Sequence, residues 1–111
     1  MKAVIYARFS DAAQREESID GQLRECNEYA EKNGIMVLNT YVDRALSAKT
    51  DNRPAFQQMI ADSNKRLFDV IICWKLDRFA RNRYDSAHYK HLLNKNGVKV
   101  LSANHRHGWW S

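Results

Sequence analysis

One serine, four arginines and one aspartate are the residues of this sequence whose types and spacing could do chemistry. They follow apolar runs or open a helix pattern, and they are Arg8, Ser10, Arg53, Asp77, Arg78 and Arg81. Arginine is planar and permanently charged, so it binds phosphate oxygens bidentately and stabilises a phosphorus centre that gains negative charge. An acyl-transfer triad would instead need a histidine base, and no histidine lies near Ser10 in the sequence. The set therefore favours attack by Ser10 on a phosphodiester.

Strand and helix patterns alternate along the chain and must position these residues. Apolar runs predict strands over Ala3–Ala7, Met36–Val42, Phe68–Trp74 and Val98–Leu101. Helical periodicity and capping residues predict helices over Ser18–Lys32, Arg53–Lys65 and Tyr84–Lys95. Alternation with short connections predicts an α/β fold, with a mainly parallel central sheet of four or five strands and helices on both faces.

The candidate residues all follow predicted strands. Ser10 comes after the first strand, the segment Arg44–Arg53 after the second, and Asp77–Arg81 after the third. In open α/β sheets, ligands bind at the carboxyl ends of the strands. We therefore expect three segments that are distant in sequence to meet at one edge of the sheet.

Four motifs carry a resemblance to a known family. They are Tyr6–Ser10, Ser18–Gln22, Asp51–Pro54 and Lys75–Arg81. In this order and spacing they resemble the catalytic domain of serine site-specific recombinases, from Met1 to about Ala103. The Asn52–Phe56 segment looks more like the large serine branch than like the short resolvases. The resemblance predicts a resolvase-like catalytic domain over 1–103.

The resemblance also implies a reaction and a set of roles. Ser10 would attack a DNA phosphodiester and form a 5′-phosphoserine intermediate in recombination, without a metal or nucleotide cofactor. The scissile phosphate would be bound by Arg8, Arg53, Arg78 and Arg81. Asp77 would either assist protonation of the leaving oxygen or hold an arginine, and the sequence leaves both roles open. Gln22, which matches the family motif, would orient the serine or the phosphate. Double-stranded DNA would be the partner, and the full-length protein would form dimers that pair into tetramers.

Each residue also has a simpler interpretation. Ser10 could be a turn or helix-capping hydroxyl. Arg53 could be a solvated residue at the start of a helix, and Gln22 a solvated residue on a helix face. Asp77 and Arg78 could form an ordinary surface ion pair, worth under about 1 kcal/mol.

Length, composition and charge limit the function classes. A chain of 111 residues is expected to form one domain, and its net charge of +5 favours a polyanionic partner. The two cysteines, Cys26 and Cys73, are far apart, which argues against a zinc cluster or disulfide scaffold and for a reducing cytoplasm. No apolar run is long enough to cross a membrane. A non-catalytic, basic nucleic-acid-binding module and a metal-dependent nuclease remain as rival functions, and the lack of carboxylate clusters disfavours the nuclease.

The end of the sequence departs from the family pattern. Residues 104–111 form an atypical tail, which we interpret as a truncated reading frame or an artificial chain end. We expect the chain alone to bind DNA weakly, to recognise no particular site and to be inactive in site-specific recombination. Ala48 stands where the family usually has glycine, so that loop is expected to be stiffer. The target site and the direction of recombination are left open.

Overall fold

Four parallel strands form a single sheet in the computed structural model, which describes residues 1–10, 19–45, 53–74 and 83–103. The strands are β1 (Lys2–Ser10), β2 (Met36–Ala45), β3 (Val70–Cys73) and β4 (Lys99–Ser102), in the order β2-β1-β3-β4. The helices are α1 (Ile19–Lys32), α2 (Pro54–Ser63) and α3 (Arg83–Lys95). The predicted α/β fold with a parallel sheet is confirmed.

The two faces of the sheet carry separate hydrophobic clusters, because side chains alternate along each strand. Val4 and Tyr6 of β1 pack with residues of α2 and α3, including Phe56 and Leu93. On the opposite face a second cluster contains Ala3, Ile5, Cys26, Ala30 and Ile72, of which Cys26 and Ala30 belong to α1. Of the described helices, two therefore cover one face and one covers the other, which confirms the predicted placement of helices on both faces.

Two glycines end helices and direct the chain into the next strand. Gly34 has φ +67°, and Gly97 has φ +76°. The backbone N–H of the residue after each glycine donates to a carbonyl five residues earlier, Ile35 to Ala30 and Val98 to Leu93, both at 2.8 Å. These are Schellman motifs, in which the left-handed conformation favours glycine.

The strands β1 and β2 extend further than the apolar pattern predicts. Their parallel ladder continues past Ala7 and Val42, through the pair Arg8 and Asp43, to the pair Ser10 and Ala45. Polar residues thus join the ladder at its carboxyl end, where apolar periodicity cannot identify them. None of the helices that the structure describes is long and apolar enough to span a membrane.

Candidate active site

The first candidate residue, Ser10, lies at the carboxyl edge of the sheet. Ser10 is the last residue of β1, and β1 lies between β2 and β3 in the sheet. Since all three strands are parallel, the segments that follow them leave from the same edge. Ser10 therefore stands at the edge where the sequence predicts a site.

A buried carboxylate from β2 anchors the start of α2. Asp43 is 4% exposed and accepts hydrogen bonds from the backbone N–H groups of Ala55 and Phe56, each at 2.9 Å. These N–H groups have no partner inside the helix, and a negative charge beside them also interacts favourably with the helix dipole. Arg53, at the N-cap, makes no side-chain capping bond, and Pro54 occupies the first turn. Asp43 therefore supplies the cap from a neighbouring strand and fixes the position at which α2 begins.

The same carboxylate binds the hydroxyl of Tyr6. The Tyr6 hydroxyl donates to Asp43 Oδ2 at 2.9 Å, and both side chains are buried. Burial first, and then the charge of Asp43, raise the pKa of Tyr6 well above its ordinary value, so the phenol remains a hydrogen-bond donor. The charges of Arg53 and Arg8 act on this pKa in the opposite direction. Both guanidinium groups therefore belong to the electrostatic surroundings of Tyr6.

Arg53 is buried at the start of α2. Its side chain is 3% exposed, and its guanidinium carbon lies 4.0 Å from the centroid of the Phe56 ring. This is a cation–π geometry, in which the ring face attracts the positive charge. The interpretation of Arg53 as a solvated helix-start residue is therefore wrong.

Gln22 connects α1 to the end of β1. It is fully buried, and its Nε2 donates to the backbone carbonyl of Arg8 at 3.3 Å. A solvated helix glutamine would not lie here, so that interpretation is wrong as well. The hydrogen bond braces the strand two residues before Ser10.

The described geometry thus gathers Arg8, Gln22 and Arg53 around the strand end that carries Ser10. Asp77, Arg78 and Arg81 lie outside the described residues. The partly buried Arg8, the buried Arg53 and the single carboxylate of Asp43 together carry one net positive charge, which suits an anionic ligand.

Sequence patterns alone assign no role to Asp43 or to the hydroxyl of Tyr6. Asp43 stands as a single carboxylate after the run Tyr41-Val42, where the apolar pattern predicts that a strand ends. That position is a usable signal, since a charge near the end of a buried strand needs partners. Its partners on β1 and α2 depend on long-range register, which the sequence does not display.

Comparisons with known proteins identify the relatives of this chain. The sequence model of the family "Resolvase, N terminal domain" matches residues 3–108. The catalytic domain of TP901-1 integrase, from the large serine recombinase branch, has a similar structure, with a TM-score of 0.79 and 35% identity over 94% of this chain and 78% of that one. A resolvase family site-specific recombinase from Streptococcus pneumoniae has a TM-score of 0.81 and 27% identity over 93% of this chain and 72% of that one.

A third similar structure is the catalytic domain of ISC1926 TnpA, an IS607-like serine recombinase. Its TM-score is 0.78 and its identity 27%, over 92% of this chain and 69% of that one. A search of curated protein sequences finds no match. The family match spans more than half of the chain, so the resemblance predicted from the four motifs is confirmed.

Proposed function

This chain belongs to the resolvase family of serine recombinase catalytic domains, and we propose that it cleaves and rejoins DNA strands through a 5′-phosphoserine intermediate on Ser10. One observation carries the proposal. Arg8 lies two residues before Ser10 on β1, and its ladder partner Asp43 caps the helix that begins at the buried Arg53, so both arginines lie toward the sheet edge where β1 ends in Ser10. Such an edge can hold a phosphate beside a serine.

The proposed reaction is an exchange of one phosphate ester for another. The oxygen of Ser10 forms a bond to phosphorus, and the bond from phosphorus to the 3′ oxygen of the DNA breaks. The serine hydroxyl loses its proton, and the leaving 3′ oxygen takes one up. Asp77 is proposed either to supply that proton or to hold Arg8 or Arg78 in place. Because the ester conserves the bond energy, a 3′ hydroxyl can attack it and rejoin the strands without a nucleotide or metal cofactor.

The proposed phosphate ligands are Arg8, Arg53, Arg78 and Arg81. The burial of Arg53 supports its part in this set, because electrostatic interactions are stronger where water is excluded. The side chain is also preorganised, since Phe56 lies beneath its guanidinium group. A group that is already oriented requires little reorganisation when charge develops on phosphorus.

Gln22 is proposed to act on Ser10 through the backbone. Its amide nitrogen already donates to the carbonyl of Arg8, so it holds the strand end that carries the nucleophile. This contact supports a positioning role.

The proposal includes the partners and the place of action. Double-stranded DNA is the substrate, and the full-length protein assembles as dimers and tetramers in the cytoplasm. The proposed catalytic domain spans 1–103.

The decisive experiment maps the covalent adduct and works whether or not the target site has been identified. Covalent protein–DNA complexes are isolated from cells that express the complete gene product, digested with nuclease and analysed by mass spectrometry. A nucleotide phosphate is expected on Ser10. Ser10→Ala should bind DNA and form no adduct.

Ser63→Ala is the matched control. Ser63 is buried in α2 and its hydroxyl donates to the carbonyl of Ile60, so this serine lies in the core. The variant should retain the adduct. An adduct on another residue, or one that persists in Ser10→Ala, would exclude Ser10 as the nucleophile. DNA binding with no adduct in the wild type would favour the non-catalytic binding module.

A further inference from the structure

Three aromatic rings, those of Tyr6, Phe56 and Tyr89, form an edge-to-face cluster whose central ring lies beneath Arg53. The rings of Tyr6 and Phe56 have centroids 5.2 Å apart and meet edge to face at 68°. Phe56 and Tyr89 have centroids 4.8 Å apart and meet at 86°. The guanidinium group of Arg53 lies over the Phe56 ring, at 4.0 Å from its centroid. The ring cluster therefore connects β1, α2 and α3, and its central ring contacts the buried side chain of Arg53.

Hydrogen bonds hold the two outer rings. The Tyr6 hydroxyl donates to Asp43, and the Tyr89 hydroxyl accepts from Gln57 Nε2 at 3.3 Å. Asp43 also accepts the backbone N–H of Phe56 at 2.9 Å. Phe56 is fully buried, its backbone N–H is held by Asp43, and its ring contacts two other rings. Since the ring cannot reorient without breaking these contacts, its face is a rigid support.

The spacing of Arg53 and Phe56 in the sequence explains why this ring contacts this guanidinium group. Residues three apart at the start of a helix are neighbours on its surface, and Arg53 and Phe56 have this spacing. The negative face of an aromatic ring attracts a guanidinium group and so limits the positions that the group can take. A ring in this position fixes the orientation of the fork of donors as well as its location.

We propose that Phe56 is a positioning residue, whose ring holds the Arg53 guanidinium in the orientation that receives the scissile phosphate. This role rests on the proposed function. Phe56 acts through Arg53, and the rings of Tyr6 and Tyr89 both contact Phe56. The phosphate-binding geometry of Arg53 is thus set in the hydrophobic core.

The first test observes the support directly, in the wild-type chain. A proton above an aromatic face is shielded, so the Nε–H proton of Arg53 should resonate upfield of the same proton in Arg66, which is exposed. Phe56→Leu should return the Arg53 signal toward the Arg66 position. Equal positions in the wild type would overturn the proposal, and this readout remains decisive if Phe56→Leu fails to fold.

The second test measures the consequence for cleavage. Phe56→Leu is compared with Phe68→Leu, the same substitution in the same hydrophobic cluster but at a residue that precedes the amino end of β3. Both are assayed for single-turnover cleavage in the complete gene product, on DNA recovered from the covalent adducts. Phe56→Leu should cleave about tenfold more slowly, equivalent to about 1.4 kcal/mol, with DNA binding changed less than twofold. Phe68→Leu should cleave at the wild-type rate per folded molecule.

The outcomes separate this inference from the proposed function. If the wild type forms the Ser10 adduct and the two variants cleave equally fast, Phe56 has no positioning role. If the wild type forms no adduct, the proposed function is wrong, and Phe56 then has no role in cleavage. The chemical shift of Arg53 then still reports whether the ring supports the cation.

Discussion

The removal of the Asp43 carboxylate should strongly destabilise the fold. In Asp43→Ala the buried Tyr6 hydroxyl and the N–H groups of Ala55 and Phe56 lose their acceptor. A hydrogen bond to a charged group contributes about 1.5–3 kcal/mol, and loss of a helix cap costs about 0.5–2 kcal/mol. These contributions are not additive within one network, so we expect a loss of about 4 kcal/mol from a total stability of about 5–15 kcal/mol.

Urea denaturation measures this loss. With an m-value of about 2 kcal/mol/M, the expected destabilisation lowers the midpoint by about 2 M at unchanged m. Tyr6→Phe removes only one of the three donors, so it should cost about 1.5 kcal/mol. If Asp43 is the shared acceptor, Asp43→Ala should lower the free energy of unfolding more than Tyr6→Phe does.

Asp62→Ala is the matched control for this experiment. Asp62 also accepts a hydrogen bond from a tyrosine hydroxyl, that of Tyr41 at 2.7 Å, but it lies in the last turn of α2 and is partly exposed. A carboxylate near the end of a helix opposes the helix dipole, so its loss should cost at most about 1 kcal/mol. If Asp43→Ala were no more destabilising than Asp62→Ala, the proposed anchoring of α2 by Asp43 would be refuted.

Two further predictions concern the chemistry at the sheet edge. Substitution of lysine for any one of Arg8, Arg53, Arg78 and Arg81 keeps the charge but loses the bidentate fork, so single-turnover cleavage should fall by about 10²–10³ while DNA binding changes far less. Near wild-type cleavage by all four variants would exclude bidentate phosphate binding by these arginines, and they would then contribute only positive charge to the surface. Cleavage should also continue in excess EDTA, since the proposed reaction uses arginines and no metal. Its abolition by chelation, with recovery on metal addition, would support the nuclease alternative.

The order of elements can be predicted from the sequence because it depends on local patterns. The buried strand Val70–Cys73 is a continuous apolar run, and the glycines at 34 and 97 follow the last helical residues. Such signals lie within a few residues of the feature that they predict. The apolar pattern ends β1 too early, at Ala7, because Arg8 joins the ladder through a partner 35 positions away in β2.

The site can be predicted in part for the same reason. The sequence places Ser10 and Arg53 near one edge because parallel strands share their carboxyl ends. The burial of Arg53 and Gln22 cannot be predicted, since it depends on Phe56 and on the Arg8 carbonyl, which the fold brings close. Helical spacing puts Gln22 at the border of the apolar stripe, where solvated and buried positions look alike.

Three of the buried polar side chains in the described part of the chain lie near the end of β1. Within the described part of the chain, the buried polar side chains are Gln22, Asp43, Arg53, Ser63 and Ser102, and the first three contact the second half of β1 or the start of α2 beside it. Burial of polar groups opposes folding unless they are hydrogen-bonded or paired, so the apolar clusters on both sheet faces must offset this cost. Phe56 belongs to one of those clusters and also contacts Arg53. The same ring therefore contributes to folding stability and orients a charge, which links the geometry of the site to the packing of the core.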